Sequence, residues 1–141
     1  MICIIRQMKI TSRICYGLRI LEVLADEYKK SGGNNYVSSS AIALREKISK
    51  RYADGLLALL TLADIVAARH GSSGGYVLTR PPSSITVRDV FEALEGYTLS
   101  SRCLDKKSGC SKRSDCSGRK IWKKLESEML KTLTNTTLAD L

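Results

Sequence analysis

Three cysteines lie close together in a stretch that is almost free of apolar residues, CLDKKSGCSKRSDC, residues 103–116. Cys103, Cys110 and Cys116 are separated by six and then five residues, which differs from the CxxC pairs of zinc knuckles and ribbons. Thiolates at this wider spacing suit a cluster that is held by a looping segment. The residues alone leave several interpretations open: an iron-sulfur cluster, zinc or another ion, and redox thiols or no cofactor at all.

The total number of cysteines argues against a set of disulfides. Five cysteines leave at least one unpaired, and cysteines in a reducing compartment rarely pair. The chain has no apolar run of about 18 residues, and the opening MICIIRQ is too short for a secretory signal and has no cleavage-site pattern. We therefore expect a cytoplasmic protein without a membrane span, in which the cysteines bind a metal or react as thiols.

The cysteine stretch also carries much of the positive charge of the chain. The sequence holds 23 Lys and Arg against 14 Asp and Glu, a formal charge of +9. Between positions 102 and 124, Asp105 and Asp115 face nine basic residues (Arg102, Lys106, Lys107, Lys112, Arg113, Arg119, Lys120, Lys123 and Lys124). This balance predicts a polyanionic partner, foremost a nucleic acid. It also favours thiolate over thiol and offsets the charge of a thiolate-bound cluster.

A chain of 141 residues is long enough for one domain with a modest core. Its first half predicts three helices. Thr11 or Ser12 can cap the first helix, which should end near residues 31–35, and Ser38 can cap the second. A break at Ile48 precedes the third. The apolar positions that define the three faces are Ile14, Leu18, Leu21 and Leu24; Ile42, Leu44 and Ile48; and Leu56, Leu59, Leu60 and Ala63. The second and third helices, joined by a tight turn, form a helix-turn-helix pattern.

A hairpin follows the helix-turn-helix directly. IVAAR (65–69) and YVLTR (76–80) are strand-like and flank the glycine turn HGSSGG (70–75), and two prolines end the second strand. This is the layout of a winged helix. Ser84 or Thr86 then caps a further amphipathic helix that ends at Gly96, with its apolar positions at Val87, Val90, Phe91 and Leu94.

The end of the chain predicts one more helix, of four or five turns, after the cysteine loop. Its apolar side is formed by Ile121, Trp122, Leu125, Met129 and Leu133. The apolar face of a long helix that leaves a small domain needs a partner. We expect this partner to be the same helix of a second subunit, although the helix's own domain is an alternative.

The order of these elements resembles the IscR/NsrR family of bacterial winged-helix transcription regulators, also called Rrf-type. The resemblance rests on MKITSRICYGLRIL (8–21), VSSSAIALREKISKRY (37–52), GGYVLTRPPSSITVRDVFEALEG (74–96) and TLADL (137–141). It implies a mainly α fold in which a winged helix-turn-helix domain with a two-stranded β wing carries a long C-terminal dimerisation helix. The expected divisions are 1–96 for DNA binding, with 1–7 as an extension, 97–117 for the cluster-binding loop, and 118–141 for the dimerisation helix and tail.

The resemblance implies a homodimer that binds a double-stranded DNA operator, with the third helix in the major groove and the wing in the minor groove. The residues assigned to this interface are Ser38, Ser49, Lys50, Arg51, Tyr52 and Asp54 in the motif, and Arg69, His70 and Gly74 in the wing. Relatives commonly place arginine where this chain has His70, with Arg69 one position earlier. Lys50 and Arg51 are alternatively an ordinary solvated helix start, and Tyr52 a packing residue.

The resemblance further implies an iron-sulfur cluster, of the 2Fe-2S type, on Cys103, Cys110 and Cys116. In some relatives a histidine three residues after the last cysteine is the fourth ligand, but this chain has Arg119 there. Others use a residue of the first helix of the opposite subunit, which corresponds to Cys15 here. The alternative for Cys15 is a small buried residue of the core.

Two alternatives to a cluster-controlled regulator remain. The first is a cluster-free regulator of the same family that responds to a metabolite, a partner protein or thiol oxidation. The second, more remote, is a thiol redox or metal-handling protein, although the sequence has no CxxC pair for that chemistry. No pattern indicates catalysis or a small-molecule substrate, so we do not expect an enzyme.

Overall fold

The computed structural model describes residues 10–96, 104 and 110–141. Within these residues the α-helices are α1 (Ser12–Ser31), α2 (Ser39–Glu46), α3 (Lys50–Leu62), α4 (Val87–Glu95) and α5 (Ser117–Asn135), and the strands are β1 (Val66–Arg69) and β2 (Gly75–Leu78). Short 3₁₀ turns lie at Pro82–Ser84 and Leu138–Asp140. The protein is mainly α, with an antiparallel hairpin directly after the helix-turn-helix α2–α3, as the sequence predicted.

Residues with hydroxyl side chains cap the N-termini of α1 to α4. Thr11, Ser38, Ser49 and Thr86 have extended backbones, and each accepts a hydrogen bond from a backbone N–H in the first turn of its helix. These bonds satisfy donors that would otherwise have no partner inside the helix. Three of the four caps are those that the sequence predicted, and Ser49 lies at the predicted break. The fixed starts of α2 and α3 set the geometry of the helix-turn-helix.

The core lies between α1, α3, α4 and the base of the hairpin. Its most buried side chains include Ile14, Ile20, Leu21 and Leu24 of α1, Ile42 of α2, Leu57 and Leu60 of α3, and Val90 and Leu94 of α4. Helices α1 and α4 approach closely at Gly17, where a Cβ would overlap Cδ1 of Leu94. Burial of such aliphatic side chains contributes about 1.5–3 kcal/mol each, so this packing holds the domain as a rigid support.

Two residues expected on inner helix faces are exposed. Leu44 of α2 is 82% exposed, and Ala63 is exposed where it ends α3. Positions two apart on a helix point to opposite sides, so Leu44 cannot share the face of Ile42. Helix α2 instead buries Ser39, Ile42, Ala43 and Glu46, which recur at spacings of three and one.

The hairpin is shorter than predicted at its open end. β1 and β2 pair from Val66 with Leu78 to Arg69 with Gly75, so Ile65, Thr79 and Arg80 lie outside the strands. The chain turns at Asp64, which has a positive φ of 57°, and its carbonyl accepts from the Thr79 hydroxyl and the Arg80 guanidinium. These bonds replace strand pairing at this end and tie the hairpin to the end of α3.

Helix α5 lies largely outside the core, and its tail returns to it. The helix begins at Ser117, one residue before the predicted boundary, and buries none of its residues. After it, Leu138 is buried and its N–H donates to the Ile85 carbonyl over 3.0 Å, while Val87 N–H donates to Thr136 over 2.8 Å. The tail therefore attaches the end of α5 to the start of α4. Among the described residues, no helix is both long and apolar enough to cross a bilayer.

Candidate nucleic-acid interface and cysteine site

The first turn of α3 presents the polar residues that the sequence assigned to DNA. Ser49 caps the helix by accepting from Tyr52 N–H over 3.1 Å, and Lys50 and Arg51 are exposed beside it. An exposed helix start with basic side chains and free N–H groups suits phosphate oxygens and base edges. The structure thus brings Ser49, Lys50, Arg51 and Tyr52 together on one accessible end of α3.

Lys50 and Asp54 form an ion pair one turn apart. The Lys50 Nζ lies 2.8 Å from Asp54 Oδ2. The hydrogen bond from Lys50, followed by one from Ser39, lowers the pKa of Asp54, and the same bond to Asp54 raises the pKa of Lys50. Both groups are therefore charged at neutral pH and already bonded to each other. Arg51, with no ion pair among the described residues, has its charge available for a phosphate.

Tyr52 packs against α1 and is still partly exposed. Its ring meets that of Tyr16 edge to face, with centroids 5.8 Å apart. Beside it, an open groove of about 410 Å³ between α1 and α3 is lined by Arg13 and Arg51 among others. Sequence reasoning missed Tyr16 and Arg13 as neighbours of the recognition helix, because contacts between α1 and α3 leave no mark in local periodicity.

The three predicted wing residues, Arg69, His70 and Gly74, have different surroundings. The Arg69 guanidinium carbon lies 4.0 Å from the centroid of the Tyr36 ring, and Nη2 donates to the Ser73 carbonyl over 2.8 Å. His70 follows it and is exposed. A Cβ on Gly74 would overlap the Arg69 carbonyl, so the turn needs glycine there. Arg69 is thus folded back onto the domain, whereas His70 faces solvent at the tip.

Ser38 has a structural role in the described chain. Its hydroxyl accepts from Ala41 N–H over 3.2 Å and so caps α2. The residue before it, Val37, pairs with Tyr76 of β2 through two backbone bonds of 2.9 and 2.8 Å. The start of α2 is therefore joined to the wing strand.

The cysteines of the described chain are all at the surface. Cys15, Cys110 and Cys116 are free thiols and exposed, while Cys103 lies outside the described residues. The alternative that Cys15 is a buried core residue is wrong for this chain. Cys116 occupies the N-cap position of α5 without a side-chain cap bond, so its sulfur is free for another partner. Among the described residues, no three His, Cys, Asp or Glu side chains come close enough to hold a metal ion.

Helix α5 exposes the apolar face that the sequence predicted. Ile121, Trp122 and Leu125 are 64%, 38% and 40% exposed, which is unusual for a cluster of large apolar side chains. Met129 is half-buried, and Leu133 packs against the core further along the helix. The face is therefore covered at its C-terminal end by the chain's own domain and open at its N-terminal end, the end that begins at Cys116.

The comparison with protein families decides the identity of this fold. Residues 10–141 match the Rrf2 family, described as an iron-dependent transcriptional regulator. The chain belongs to the Rrf2 family. Curated relatives of this Rrf2-family protein include the protein rrf2 of Nitratidesulfovibrio vulgaris, 34% identical over 95% of this chain and 87% of the relative. CymR of Bacillus subtilis is 31% identical over 95% and 89%, and IscR of Cereibacter sphaeroides is 31% identical over 95% and 86%.

Solved structures agree with the assignment to Rrf2. CymR of B. subtilis, described as the global cysteine regulator, has a TM-score of 0.75 at 29% identity and covers 95% of each chain. IscR of T. potens has a TM-score of 0.73 at 28% identity, covering 94% of this chain and 85% of its own. An oxidized form of Staphylococcus aureus CymR has a TM-score of 0.71 at 27% identity, covering 94% of both. This Rrf2-family protein is a winged-helix, DNA-binding transcription regulator.

Proposed function

We propose that this Rrf2-family regulator is a homodimer whose operator binding is controlled by an iron-sulfur cluster of the 2Fe-2S type. The protein ligands are Cys103, Cys110, Cys116 and Cys15 of the partner subunit. The observation that carries this assignment is the exposure of Cys15 on α1, because a free cysteine that has only a packing role is usually buried. The family's description as iron-dependent supports it.

The donor set fits an iron-sulfur cluster by its chemistry. Cys110 and Cys116 offer exposed thiols, and the position at which some relatives have a histidine ligand holds Arg119, whose Nη1 donates to the Arg113 carbonyl. A fourth ligand must then come from elsewhere, and a thiol on α1 of a second subunit supplies one. When bound, such a cluster provides sensitivity to oxygen, nitric oxide or iron supply.

The dimer is proposed to form through the open part of the α5 face. Ile121, Trp122 and Leu125 stand next to Cys116 along the chain, so a second α5 that covers them also brings two subunits together near the cysteines. The tail at Leu138 holds the other end of α5 against α4. A change in the cysteine loop would thus alter how the two winged-helix domains face half-sites one helical turn, or a multiple, apart.

The residues proposed to meet the operator lie on α3 and the wing. Arg51 supplies a phosphate or guanine contact, and Lys50 and Asp54 enter as a bonded pair whose carboxylate can accept from a cytosine amino group. Ser49 offers a hydroxyl, and His70 stands at the wing tip. Ser38, Tyr52 and Gly74 hold these elements in place through capping, ring packing and the turn.

A second candidate function is a cluster-free regulator that responds to thiol oxidation. The relative described as a global cysteine regulator and the oxidized form of another CymR favour it. The exposed thiols of Cys110 and Cys116 would be the reacting groups. This candidate predicts a colourless protein whose operator affinity depends on the state of these thiols.

The deciding experiment is an absorption spectrum, with iron and acid-labile sulfide content, of protein purified without oxygen. Cys3, the fifth cysteine of the sequence, is outside the proposed ligand set, so Cys3→Ala is the matched control. Wild type and Cys3→Ala should both show visible bands and about two irons and two sulfides per subunit. Cys15→Ala should fold, with an unchanged far-UV spectrum, and lose the bands. Bands that persist in Cys15→Ala would remove Cys15 from the ligands. Colourless wild type, even after anaerobic reconstitution, would refute the cluster and favour the thiol candidate.

The dimer has a separate test. Leu125→Asp places a charge in the open α5 face, whereas Leu62→Asp changes a leucine that is exposed at the end of α3. Light scattering should show a monomer for Leu125→Asp and a dimer for Leu62→Asp. The affinity for an operator duplex, selected by the wild type from a random pool, should fall with Leu125→Asp because a monomer contacts only one half-site. A dimeric Leu125→Asp protein would contradict the proposed interface.

A further inference from the structure

Three consecutive residues connect the wing to the helix-turn-helix. Tyr36 lies under the Arg69 guanidinium, Val37 pairs with Tyr76 of β2, and Ser38 caps α2. The wing and the recognition unit are thus oriented by one short segment between α1 and α2. Backbone pairing at Val37 holds β2 at Tyr76, one position from the pair of Arg69 with Gly75 that borders the turn, and the Tyr36 ring contacts β1 at Arg69.

Arg69 spans the gap between that segment and the wing turn. It is the last residue of β1, and its Nη2 donates to the Ser73 carbonyl over 2.8 Å within the turn. The same guanidinium stacks on Tyr36 with its carbon 4.0 Å from the ring centroid. The guanidinium therefore makes a hydrogen bond to the turn and a stacking contact with the domain at the same time. Its planar shape with several N–H donors suits it to both.

We propose that Arg69 is a positioning residue with Tyr36 as its support, and that it holds the wing in place without itself entering the DNA groove. Insertion of Arg69 into a minor groove would require both the stack on Tyr36 and the bond to Ser73 to break. His70, exposed at the tip, is left as the wing side chain that meets DNA. This assignment rests on the proposed placement of the wing against the operator.

The distinction between positioning and contact is measurable through the salt dependence of binding. A side chain that neutralises a phosphate adds about one to the slope of log K against log salt, whereas a positioning residue adds nothing to it. An exposed cation–π pair is worth about 2- to 5-fold in an equilibrium constant. Loss of either partner should therefore lower affinity by about that factor and leave the slope unchanged.

The test uses full-length protein and the duplex selected from a random pool, with fluorescence anisotropy between 50 and 200 mM salt, the range over which phosphate contacts show most clearly. Tyr36→Leu and Arg69→Gln should each raise Kd about 2- to 5-fold, and the double variant should be no weaker than either alone. Tyr36→Phe keeps the ring and should bind like wild type. Arg51→Gln, the positive control, should lower the slope by about one.

Each remaining outcome overturns part of the assignment. If Arg69→Gln lowers the salt slope by about one while Tyr36→Leu binds normally, Arg69 contacts DNA and the inference is wrong. Additive losses in the double variant would show that Tyr36 and Arg69 act separately. Wild type that selects no duplex would instead refute the operator binding on which the inference depends. Melting temperatures that stay well above the assay temperature in both single variants exclude general unfolding as the cause of a loss.

Discussion

Tyr16 of α1 and Tyr52 of α3 form an edge-to-face pair, with ring centroids 5.8 Å apart and ring planes at 86°. The Arg19 guanidinium lies 5.3 Å from the centroid of the Tyr16 ring and pairs with Glu46 at the end of α2, at 2.7 Å. A continuous series of contacts therefore joins both helices of the DNA-binding motif to α1. Because Tyr16 follows Cys15 in the chain, the same helix carries the proposed cluster ligand and the support of the recognition helix.

The first prediction concerns Tyr16 as a support of Tyr52. Tyr16→Leu should lower the free energy of unfolding by about 0.5–1.5 kcal/mol, the value of an aromatic pair beyond its buried area. It should also weaken operator binding without changing its salt slope, since no phosphate contact is removed. Denaturant unfolding and anisotropy measure the two effects. Tyr16→Phe keeps the ring pair and serves as the control. Equal stability of the Leu and Phe variants would show that the ring contact contributes nothing.

The second prediction concerns the ion pair between α1 and α2. The Glu46 side chain is 10% exposed and Arg19 is 51% exposed, so only the carboxylate depends on its partner for polar contact. Arg19→Gln should cost about 1–3 kcal/mol because it leaves a buried charge unpaired. Glu46→Gln should cost less, since Arg19 remains hydrated. The double variant should be more stable than Arg19→Gln alone, and a strictly additive cycle in denaturant unfolding would reject this pairing.

Much of this fold follows from short-range signals in the sequence. The caps at Thr11, Ser38 and Thr86 and the glycine after α4 are local, and they marked the helix ends correctly. Leu44 shows where such signals fail. The inner face of α2 includes the polar Ser39 and Glu46, so the apolar residues alone suggested the wrong face. The buried Glu46 forms an ion pair with Arg19 of another helix, which no local pattern reveals.

The sequence predicted which residues belong to the candidate site better than it predicted how their side chains are placed. Exposed Lys50 and Arg51 at the start of α3 follow from the helix-turn-helix pattern. The stack of Arg69 on Tyr36 joins residues that are far apart in the sequence. The sequence could therefore place Arg69 in the wing, but it could not predict the direction of its side chain. The cysteine set depends on a second subunit in the proposal, and among the described residues Cys15, Cys110 and Cys116 form no metal-binding group.

The third prediction compares two glycines in the middle of helices. A Cβ on Gly17 would overlap Leu94, whereas one on Gly55 of α3 would meet open space. Gly55→Ala should stabilise the protein by about 0.5–1 kcal/mol through helix propensity. Gly17→Ala gains the same helix propensity, but the new Cβ pushes α1 and α4 apart, which should cost about 1–3 kcal/mol in the free energy of unfolding. In denaturant unfolding, the free energy of unfolding of Gly17→Ala should therefore be lower than that of Gly55→Ala by about this overpacking cost. Adding Leu94→Val to Gly17→Ala should reduce the difference, because the smaller side chain leaves room for the new Cβ. Equal stabilities would contradict the close approach.

The last prediction concerns the pH dependence of the tail. Asp140 Oδ2 accepts from the Thr137 backbone N–H and from its hydroxyl, both over 2.7 Å, and these bonds, the backbone one foremost, lower the pKa of Asp140 from 3.8. A carboxyl whose pKa is lower in the folded than in the unfolded chain stabilises the fold only when it is ionised. Its contribution is present above the ordinary value of 3.8 and is lost as pH falls through that value towards the lower folded one.

Asp140→Asn removes this titration while keeping a side chain of the same shape. The difference in melting temperature between wild type and the variant should therefore be constant near neutral pH and shrink as the solution is acidified below the ordinary pKa of 3.8. The lowered pKa of Asp54 affects both proteins equally and cancels in the difference. Because the turn holds Leu138 in the core, amide exchange at Leu138 should be faster in the variant near neutral pH. A melting difference that does not change with pH would show that the tail is held without the Asp140 charge.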